Sequence, residues 1–290
     1  MSLGIKFNFV LIVTFLAGIT AAGFVSYNML QKNARDEIQH TADVILESAL
    51  AIRSYTVNEV KPLLAPHMDE IFLPQTVPAY AATQNIRGLR EKYPEYSYKE
   101  ATLNPTNPTS RATEWETSIV EYFKNNEGAK ELIGEHETAV GPSLYIARPI
   151  RISNGDCLNC HGKMEDAPQA MLAKYGVNGG FGWQMNEVVG AQIVNVPMSV
   201  ALDRAQKVFK TFMGSLSLVF IIILVLSNIL LHMIVIRPVK KISAIANDVS
   251  MGNLDAPELK VDSKDELATL SESFNRMRRS LDNAMKMIDD

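Results

Sequence analysis

Residues 155–163, GDCLNCHGK, contain the only two cysteines of the 290-residue chain, Cys157 and Cys160, and His161 follows directly. Three kinds of chemistry use such a set: covalent attachment of haem, half of a zinc site, or a redox-active disulfide. In the first, the two thiols bond to the two vinyl groups on one edge of the porphyrin, and the adjacent histidine ligates the iron from one face. The choice depends on the other ligands and on the compartment that this segment occupies.

The alternatives to haem lack supporting residues. A structural zinc site normally needs four ligands, and the chain has neither a second cysteine pair nor an H-x₃₋₅-H motif. A thioredoxin-like pair begins a helix after a strand, where the helix dipole lowers the thiol pKa, and the polar stretch NGDCLNCHGK has no such setting. A structural disulfide across two residues would be strained. The spacing therefore favours a covalent c-type haem on Cys157 and Cys160, with His161 as an axial ligand.

Two stretches, residues 7–31 and 211–236, contain no charged side chain, although net charge (−4) and charged content (21%) are ordinary. Because a helix rises about 1.5 Å per residue, about 20 apolar residues cross a hydrocarbon core of about 30 Å. The second stretch would be apolar on every face of a helix. The first is too long for the apolar part of a signal peptide and lacks a good cleavage site. We predict transmembrane helices at 7–30 and 211–236.

The last segment, 237–290, contains two apolar seams with alternating spacings of three and four residues. Such seams are buried only against other helices, which predicts a dimeric bundle of four parallel helices. The predicted seams are Val239, Ile242, Ala246 and Val249, and then Leu267, Leu270, Phe274, Met277, Leu281, Ala284 and Ile288.

This segment resembles a HAMP domain. The features that match are Pro238 just past the membrane, Gly252 in the connector, and the acidic pair Asp265 and Glu266 before the second helix. HAMP domains are cytoplasmic relays, whereas the balance of Lys and Arg around the spans only weakly favours cytoplasmic termini. The resemblance implies a two-pass protein of the bacterial inner membrane, with residues 1–6 and 237–290 cytoplasmic and 31–210 periplasmic.

The periplasmic part reads as an α+β domain. Residues 33–64 indicate a long helix ended by prolines, followed by an irregular stretch rich in Pro and Asn that contains LPQTVPAY and ATLNPTNPTS. TEWETSIVEYFKNN predicts a helix with Trp115, Ile119 and either Tyr122 or Phe123 on one face. TAVGPSLYIARPIRI predicts two strands, APQAMLAKYG a short helix, EVVGAQIVNVPM a strand, and SVALDRAQKVFK a helix returning to the membrane. We expect a PAS-like or Cache-like sensor architecture.

Several blocks of this region are similar, in order, to a bacterial family of haem-bearing, PAS-like sensor domains that often precede HAMP modules. The resemblance implies a covalent haem c on Cys157 and Cys160, with His161 as axial ligand. The matching blocks, from about residue 35 to 205, are RSYTVNEVKPLL, LPQTVPAYAA, YSYKEATLNPTNP, LYIARPI, CLNCHG and GGFGWQMNEVVGAQIVNVPM.

The second face of the iron is left undecided by the residues. His67 and Met68 are candidate ligands, and an open position suited to a diatomic gas is an equal alternative. We expect His40 and His136 to be solvated and Met171 and Met185 to be core residues, while Met164 is too near the tether. Phe181 and Trp183 are candidates to line a haem pocket, and Lys99, Arg148 and Arg151 to pair with haem propionates.

Three functions compete. A redox or gas sensor that relays through HAMP uses both the haem motif and the relay. A membrane-anchored electron-transfer cytochrome needs only the haem, and a small-molecule receptor without haem needs only the relay. We expect no enzymatic activity, since no nucleophile–base pattern or nucleotide loop is present. Expected partners are a second copy, membrane lipid, and a separate cytoplasmic signalling protein such as a kinase, because no output module follows within this sequence; no nucleic acid is expected.

Overall fold

A computed structural model of the chain describes residues 3–68, 70–138, 141–253, 256–259 and 265–289. It forms two compact units, one of residues 28–208 and the other of residues 1–27 with 209–290. The long helix α1 (Leu3–Tyr55) begins in the second of these units and ends in the first.

Among the described residues, two continuous helical runs are long and apolar enough to cross a membrane. They are Leu3–His67, which begins with α1, and Ser199–Ser250, which begins with α7 (Ser199–Leu230), and both predicted spans lie within them. Almost none of either apolar stretch is buried inside the chain, so these surfaces need an apolar environment from elsewhere. The two helices contact each other through stacked rings of Phe15 and Phe220, whose centroids are 4.8 Å apart. They also share a reciprocal amide pair, in which Asn8 and Asn228 each donate to the other at 2.7 Å.

Beyond α7, a π-helical segment (Leu231–Ile236) leads into α8 (Arg237–Ser250), and a connector joins α8 to α9 (Glu266–Asp289). The connector folds back on α9, because the Asn275 side chain donates to Leu259 O at 2.9 Å and accepts from Leu259 N at 3.1 Å. The small core of this part is Ile242, Ile245, Val249, Ala256 and Leu259, with Phe274 packed against it.

The predicted seams are only partly buried in a single chain. Ile242 and Val249 are buried as predicted, whereas Val239 is exposed and Ile245, which the prediction omitted, takes a buried place instead. On α9 the seam residues Leu270, Met277 and Leu281 remain 50%, 60% and 44% exposed. The side chain of Ile288 and the connector residues 254–255 and 260–264 lie outside the described residues.

The other unit is built on an antiparallel sheet with strand order β1-β4-β3-β2. The central strand β4 is buried along nearly its whole length, while β2, at the edge, alternates between half-buried and exposed residues. The strands are β1 (Ser97–Thr102), β2 (Leu132–Thr138), β3 (Gly141–Arg151) and β4 (Val188–Pro197).

Helices cover both faces of this sheet. One face packs on α1 and α3 (Pro78–Lys92), where Leu46 and Ile86 meet Ile146 and Val194. The other packs on α4 (Glu114–Asn125), which buries Ile119, Val120 and Phe123. Phe123, not Tyr122, is the aromatic side chain of α4 that faces the core.

The predicted α+β composition is confirmed, and so is the long helix, which ends in a π-helical segment (Thr56–Val60) and the single turn α2 (Lys61–Leu64). The stretch predicted to be irregular is wrong in part, because it contains α3 and β1. Pro78 occupies the first turn of α3, where its missing N–H has no partner to lose. The remaining short elements are α5 (Leu158–His161), α6 (Gln169–Tyr175) and the 3₁₀ turns Ala65–His67, Pro74–Thr76, Pro108–Ser110, Gly155–Cys157 and Met164–Asp166.

Candidate haem site

The cysteine motif lies on two consecutive turns that follow β3. Asn154 opens the first, because its Oδ1 accepts a hydrogen bond from Asp156 N at 2.9 Å. Cys157 ends that turn, and Cys160 and His161 end α5. Since residues three and four apart share one side of a helical turn, Cys157 starts from a side shared with Cys160 and with His161. The sequence thus folds locally into a compact presentation of all three groups.

Both thiols are free and half-buried. Burial raises the pKa of the Cys160 thiol, an effect that the positive charge of Lys61 partly offsets. A thiol activated for disulfide exchange has a lowered pKa. Cys160 therefore lacks the thiolate character of a thioredoxin-like centre.

His161 is held as a neutral imidazole in one tautomer. Its Nδ1 lies 2.7 Å from Gly180 O, and because a carbonyl oxygen only accepts, Nδ1 carries the proton and Nε2 keeps its lone pair. Burial lowers the pKa of His161, against a smaller opposite effect of the Gly180 carbonyl. A backbone carbonyl that fixes one ring nitrogen while the other stays free is the usual arrangement around a metal-binding histidine.

Two loops distant in sequence hold His161 in place. The ring stacks on Trp183, with centroids 4.1 Å apart, and Trp183 N donates to His161 O at 3.0 Å. Asn104 ties the loops together: its Oδ1 accepts from Gly180 N at 3.2 Å and its Nδ2 donates to Phe181 O at 3.3 Å. Thr106 completes the contacts, with Oγ1 3.4 Å from His161 Nδ1.

Cys160 faces an apolar cluster, which we call the Cys160 cluster. Its buried members are Phe72, Ala167 and Met171, and half-buried side chains pack around them. The half-buried members are Met68, Val77, Cys160, Ala170, Leu172, Tyr175 and Phe181.

Comparison with known proteins assigns this region. The model of the Tll0287-like family matches residues 31–197, more than half of the chain. The chain belongs to the Tll0287-like family. A second family model, that of the HAMP domain, matches residues 230–283, so the predicted HAMP resemblance is confirmed.

Among solved structures, the cyanobacterial haem protein Tll0287 matches with 16% sequence identity and a TM-score of 0.43. The match covers 56% of this chain and 95% of that one. No curated protein matches this chain.

The donor set of the Tll0287-like domain fits a covalent haem. Two free thiols three positions apart can each form one thioether bond, and the Nε2 lone pair of His161 can ligate iron. Aromatic and aliphatic side chains of the Cys160 cluster suit the apolar faces of a porphyrin. No group of three or more His, Cys, Asp or Glu side chains suited to a metal ion lies within the described ranges.

The cations predicted to pair with haem propionates have carboxylate or backbone partners in the Tll0287-like domain. Lys99 Nζ donates to Glu116 at 2.6 Å, and Arg148 pairs with Glu47 at 2.5 Å and Glu131 at 2.8 Å. Arg151 donates to the backbone oxygens of Asn186 and Glu127 at 2.8 and 3.1 Å.

One cation that the sequence did not predict acts on the motif: the positive charge of Lys61 lowers the pKa of Cys160 against the larger effect of burial. Lys61 precedes the motif by about a hundred residues, and no local signal connects it with the cysteines.

The structure separates the other candidates. Met68 belongs to the Cys160 cluster, while the His67 side chain is exposed. Met171 is buried as predicted, but Met185 is 47% exposed, because it lies on the turn before β4. His136 is not fully solvated: it stacks on Trp115 with centroids 4.0 Å apart, and its Nε2 lies 3.2 Å from Asn195 Oδ1.

Proposed function

We propose that this chain is a membrane signal-transduction sensor that carries a covalent c-type haem in a periplasmic, PAS-like domain and relays its state through HAMP. Cys157 and Cys160 hold the haem, and His161 ligates its iron. The observation that carries the proposal is the 2.7 Å contact between His161 Nδ1 and Gly180 O, which leaves Nε2 free beside two free thiols. Membership of the Tll0287-like family, one of whose proteins is a haem protein, supports it.

When bound, a haem supplies an iron that changes oxidation state or takes a diatomic ligand. His161 would bind that iron, and other residues of this chain orient the imidazole and shield the site. Gly180 holds the imidazole tautomer, Trp183 covers the ring of His161, and the Cys160 cluster excludes water from the thioether side. A change at the site would act on the two loops through Thr106, Gly180 and Trp183, which contact His161 directly.

A covalent path runs from the sheet to the relay. The central strand β4 ends at Pro197, and α7 begins at Ser199 and continues without a break to Leu230. To act as a switch, the haem must favour one conformation of the domain over another, since a ligand with equal affinity for both shifts nothing. The HAMP match supports a sensor over an electron-transfer cytochrome, which has no use for a relay.

We further propose that the protein is a homodimer of the inner membrane, with HAMP in the cytoplasm. The exposed seam residues Leu270, Met277 and Leu281 support a second copy as the occupant of that surface, since such patches need burial. A separate cytoplasmic protein, such as a kinase, receives the signal.

Absorption spectroscopy of the full chain, produced with a cytochrome c maturation system, tests the haem proposal. The pyridine haemochrome should be that of a haem with two thioether bonds. Cys157→Ser or Cys160→Ser alone should shift it towards one remaining vinyl group, and the double variant should lose haem on denaturation. A folded, exported domain without covalent haem would refute the proposal and leave the haem-free receptor. Ready binding of CO to the reduced protein would indicate gas sensing, and inertness to CO would indicate redox sensing.

The amide pair Asn8–Asn228 gives a second expectation for the membrane-embedded part. Asn8→Leu leaves Asn228 with only its bond to Leu224 O at 2.9 Å, and should weaken the association of α1 with α7 by about 1 kcal/mol. The double variant with Asn228→Leu should regain part of this loss, because no amide is then unpaired. The free energy of unfolding in detergent micelles, measured for both single variants and the double variant, gives the coupling energy. A coupling energy of zero would mean that the pair does not join the helices.

A further inference from the structure

His161 binds one face of the proposed haem iron, and the candidates for the second face are the other histidine and methionine side chains of the domain. Exposure or existing partners set most of them apart. His136 is engaged with Trp115 and Asn195, and His67 is exposed. His40, Met164 and Met185 are also exposed and are set aside for the same reason.

Two methionines, Met68 and Met171, share the Cys160 cluster with one of the two attachment cysteines. Met171 is 3% exposed, lies within α6 and is one of the three buried members of the cluster. Met68 is only half-buried, at the cluster's edge, so its thioether can face a group bound there without leaving a cavity behind.

The backbone holds Met68 at this edge. Met68 N donates to Ala65 O at 3.1 Å, and Ile71 N donates to His67 O at 3.1 Å. These backbone hydrogen bonds fix the position from which the Met68 side chain starts. Phe72, four residues after Met68, is buried in the same cluster.

A buried hydroxyl fixes the sulfur itself. Thr76, 3% exposed, places Oγ1 at 3.3 Å from Met68 Sδ and at 2.7 Å from Leu73 O. The single hydroxyl proton can go to either acceptor, and in both cases the sulfur keeps a lone pair for iron. This contact is the kind of second interaction that orients an axial ligand.

Met68 and His161 come from separate parts of the fold. His161 contacts Thr106, Gly180 and Trp183, whereas Met68 contacts Ala65 and Thr76. Cys160 links the two donors. It precedes His161 directly in the chain, and its side chain packs in the same cluster as Met68. A methionine and a histidine are an established pair of axial ligands for c-type haem.

We propose that Met68 is the second axial ligand of the haem iron, with Thr76 positioning its sulfur. This inference rests on the proposed haem function. It makes the resting protein six-coordinate, so that an external ligand must displace Met68 before it can bind.

Spectra of the full chain in detergent test the assignment, with the pyridine haemochrome as an independent measure of covalent haem. The wild type should show the weak far-red charge-transfer band of ferric haem with a methionine ligand. Met68→Ala should lose this band and bind CO readily when reduced, with the haemochrome unchanged. Met68→His should restore a low-spin spectrum without the band. Met185→Ala, at an exposed methionine outside the cluster, is the matched control and should keep the band. Met171→Leu, which preserves the packing volume of the cluster, tests the other buried thioether and should also keep the band.

The outcomes separate the two levels of the proposal. Covalent haem with an unchanged spectrum in Met68→Ala, or a wild type that is already five-coordinate, overturns the assignment of Met68 and leaves the haem function intact. Loss of the band in Met171→Leu but not in Met68→Leu also overturns it and points to Met171. Absence of covalent haem in the wild type overturns both. If Met68→Ala does not fold, Met68→Leu preserves the packing volume and carries the same expectations.

Discussion

Replacement of Arg53 by methionine should lower the free energy of unfolding of the Tll0287-like domain by about 3 kcal/mol, because it leaves a buried carboxylate without its partner. Glu100 is 5% exposed, and Arg53 Nη1 lies 2.7 Å from its Oε1 and 2.5 Å from its Oε2. Tyr98 donates its hydroxyl proton to the same carboxylate at 2.7 Å, and burial with this neighbouring negative charge raises the pKa of Tyr98. About 3 kcal/mol is the low end for a broken buried pair, and it applies here since a quarter of the Arg53 side chain is exposed.

Denaturant unfolding followed by tryptophan fluorescence measures this effect, since both tryptophans, Trp115 and Trp183, lie in this domain. The double variant Arg53→Met with Glu100→Leu should recover much of the loss, because no unpaired charge remains. Arg204→Met is the matched control: it breaks an ion pair with Glu37 whose two side chains are 67% and 59% exposed, and should cost less than about 1 kcal/mol. Equal losses from Arg53→Met and Arg204→Met would contradict this account.

Substitution of Gly180 by alanine should destabilise the domain by about 3 kcal/mol or more and release His161, whereas Gly182→Ala should cost about 1–2 kcal/mol. Both glycines have positive φ, +85° and +77°, so an added Cβ strains the backbone at either position. Only at Gly180 does the Cβ also overlap Thr106 Oγ1 and come within 2.8 Å of Thr106 N, while at Gly182 it meets open space. The difference in unfolding free energy between the two variants therefore measures the cost of the overlap between residue 180 and Thr106.

The same two variants distinguish a loss of stability from a change in the orientation of His161. Movement of Gly180 displaces the carbonyl that accepts the proton of His161 Nδ1. In the Met68→Ala background, in which the reduced haem is expected to be five-coordinate, the iron–histidine stretching band of the Raman spectrum should therefore shift or broaden in Gly180→Ala. Gly182→Ala should leave that band unchanged. Thr106→Ala in the Gly180→Ala background removes the overlapping hydroxyl but not the backbone contact, and should restore stability only in part. An unchanged band in Gly180→Ala would show that the carbonyl does not orient the ring.

The features that could be predicted from sequence were those with a local signature. The Cys157–His161 motif, the two charge-free stretches and the seams of residues 237–290 each depend on spacings within a few residues. Helices α4 and α6 and the central strand β4 also follow from short periodic patterns. These features gave the order of the parts and the identity of the proposed attachment residues.

The parts that escaped prediction depend on contacts between distant residues. Asn104 bonds to Gly180 and Phe181 across more than seventy positions. The sequence of either loop alone therefore carries no signal that the loop holds His161. Strand β1 was not predicted, because a charged residue such as Glu100 is not expected at a buried strand position. Its burial is tolerated because Arg53 pairs with it, and Arg53 lies 47 positions away in the chain. Lys99 and Arg148 were predicted to pair with propionates, yet carboxylates of this chain pair with both.

The π-helical segment Leu231–Ile236, directly before α8, has a mechanical consequence for the relay. Each π turn accommodates one residue more than an α turn, because its hydrogen bonds run from i to i+5. Conversion of that turn to α geometry would change the helical phase of everything after it by about 100° and its axial position by about 1.5 Å. Rotation and piston displacement of α8 are then two components of a single screw motion, whose step is set by one residue of backbone.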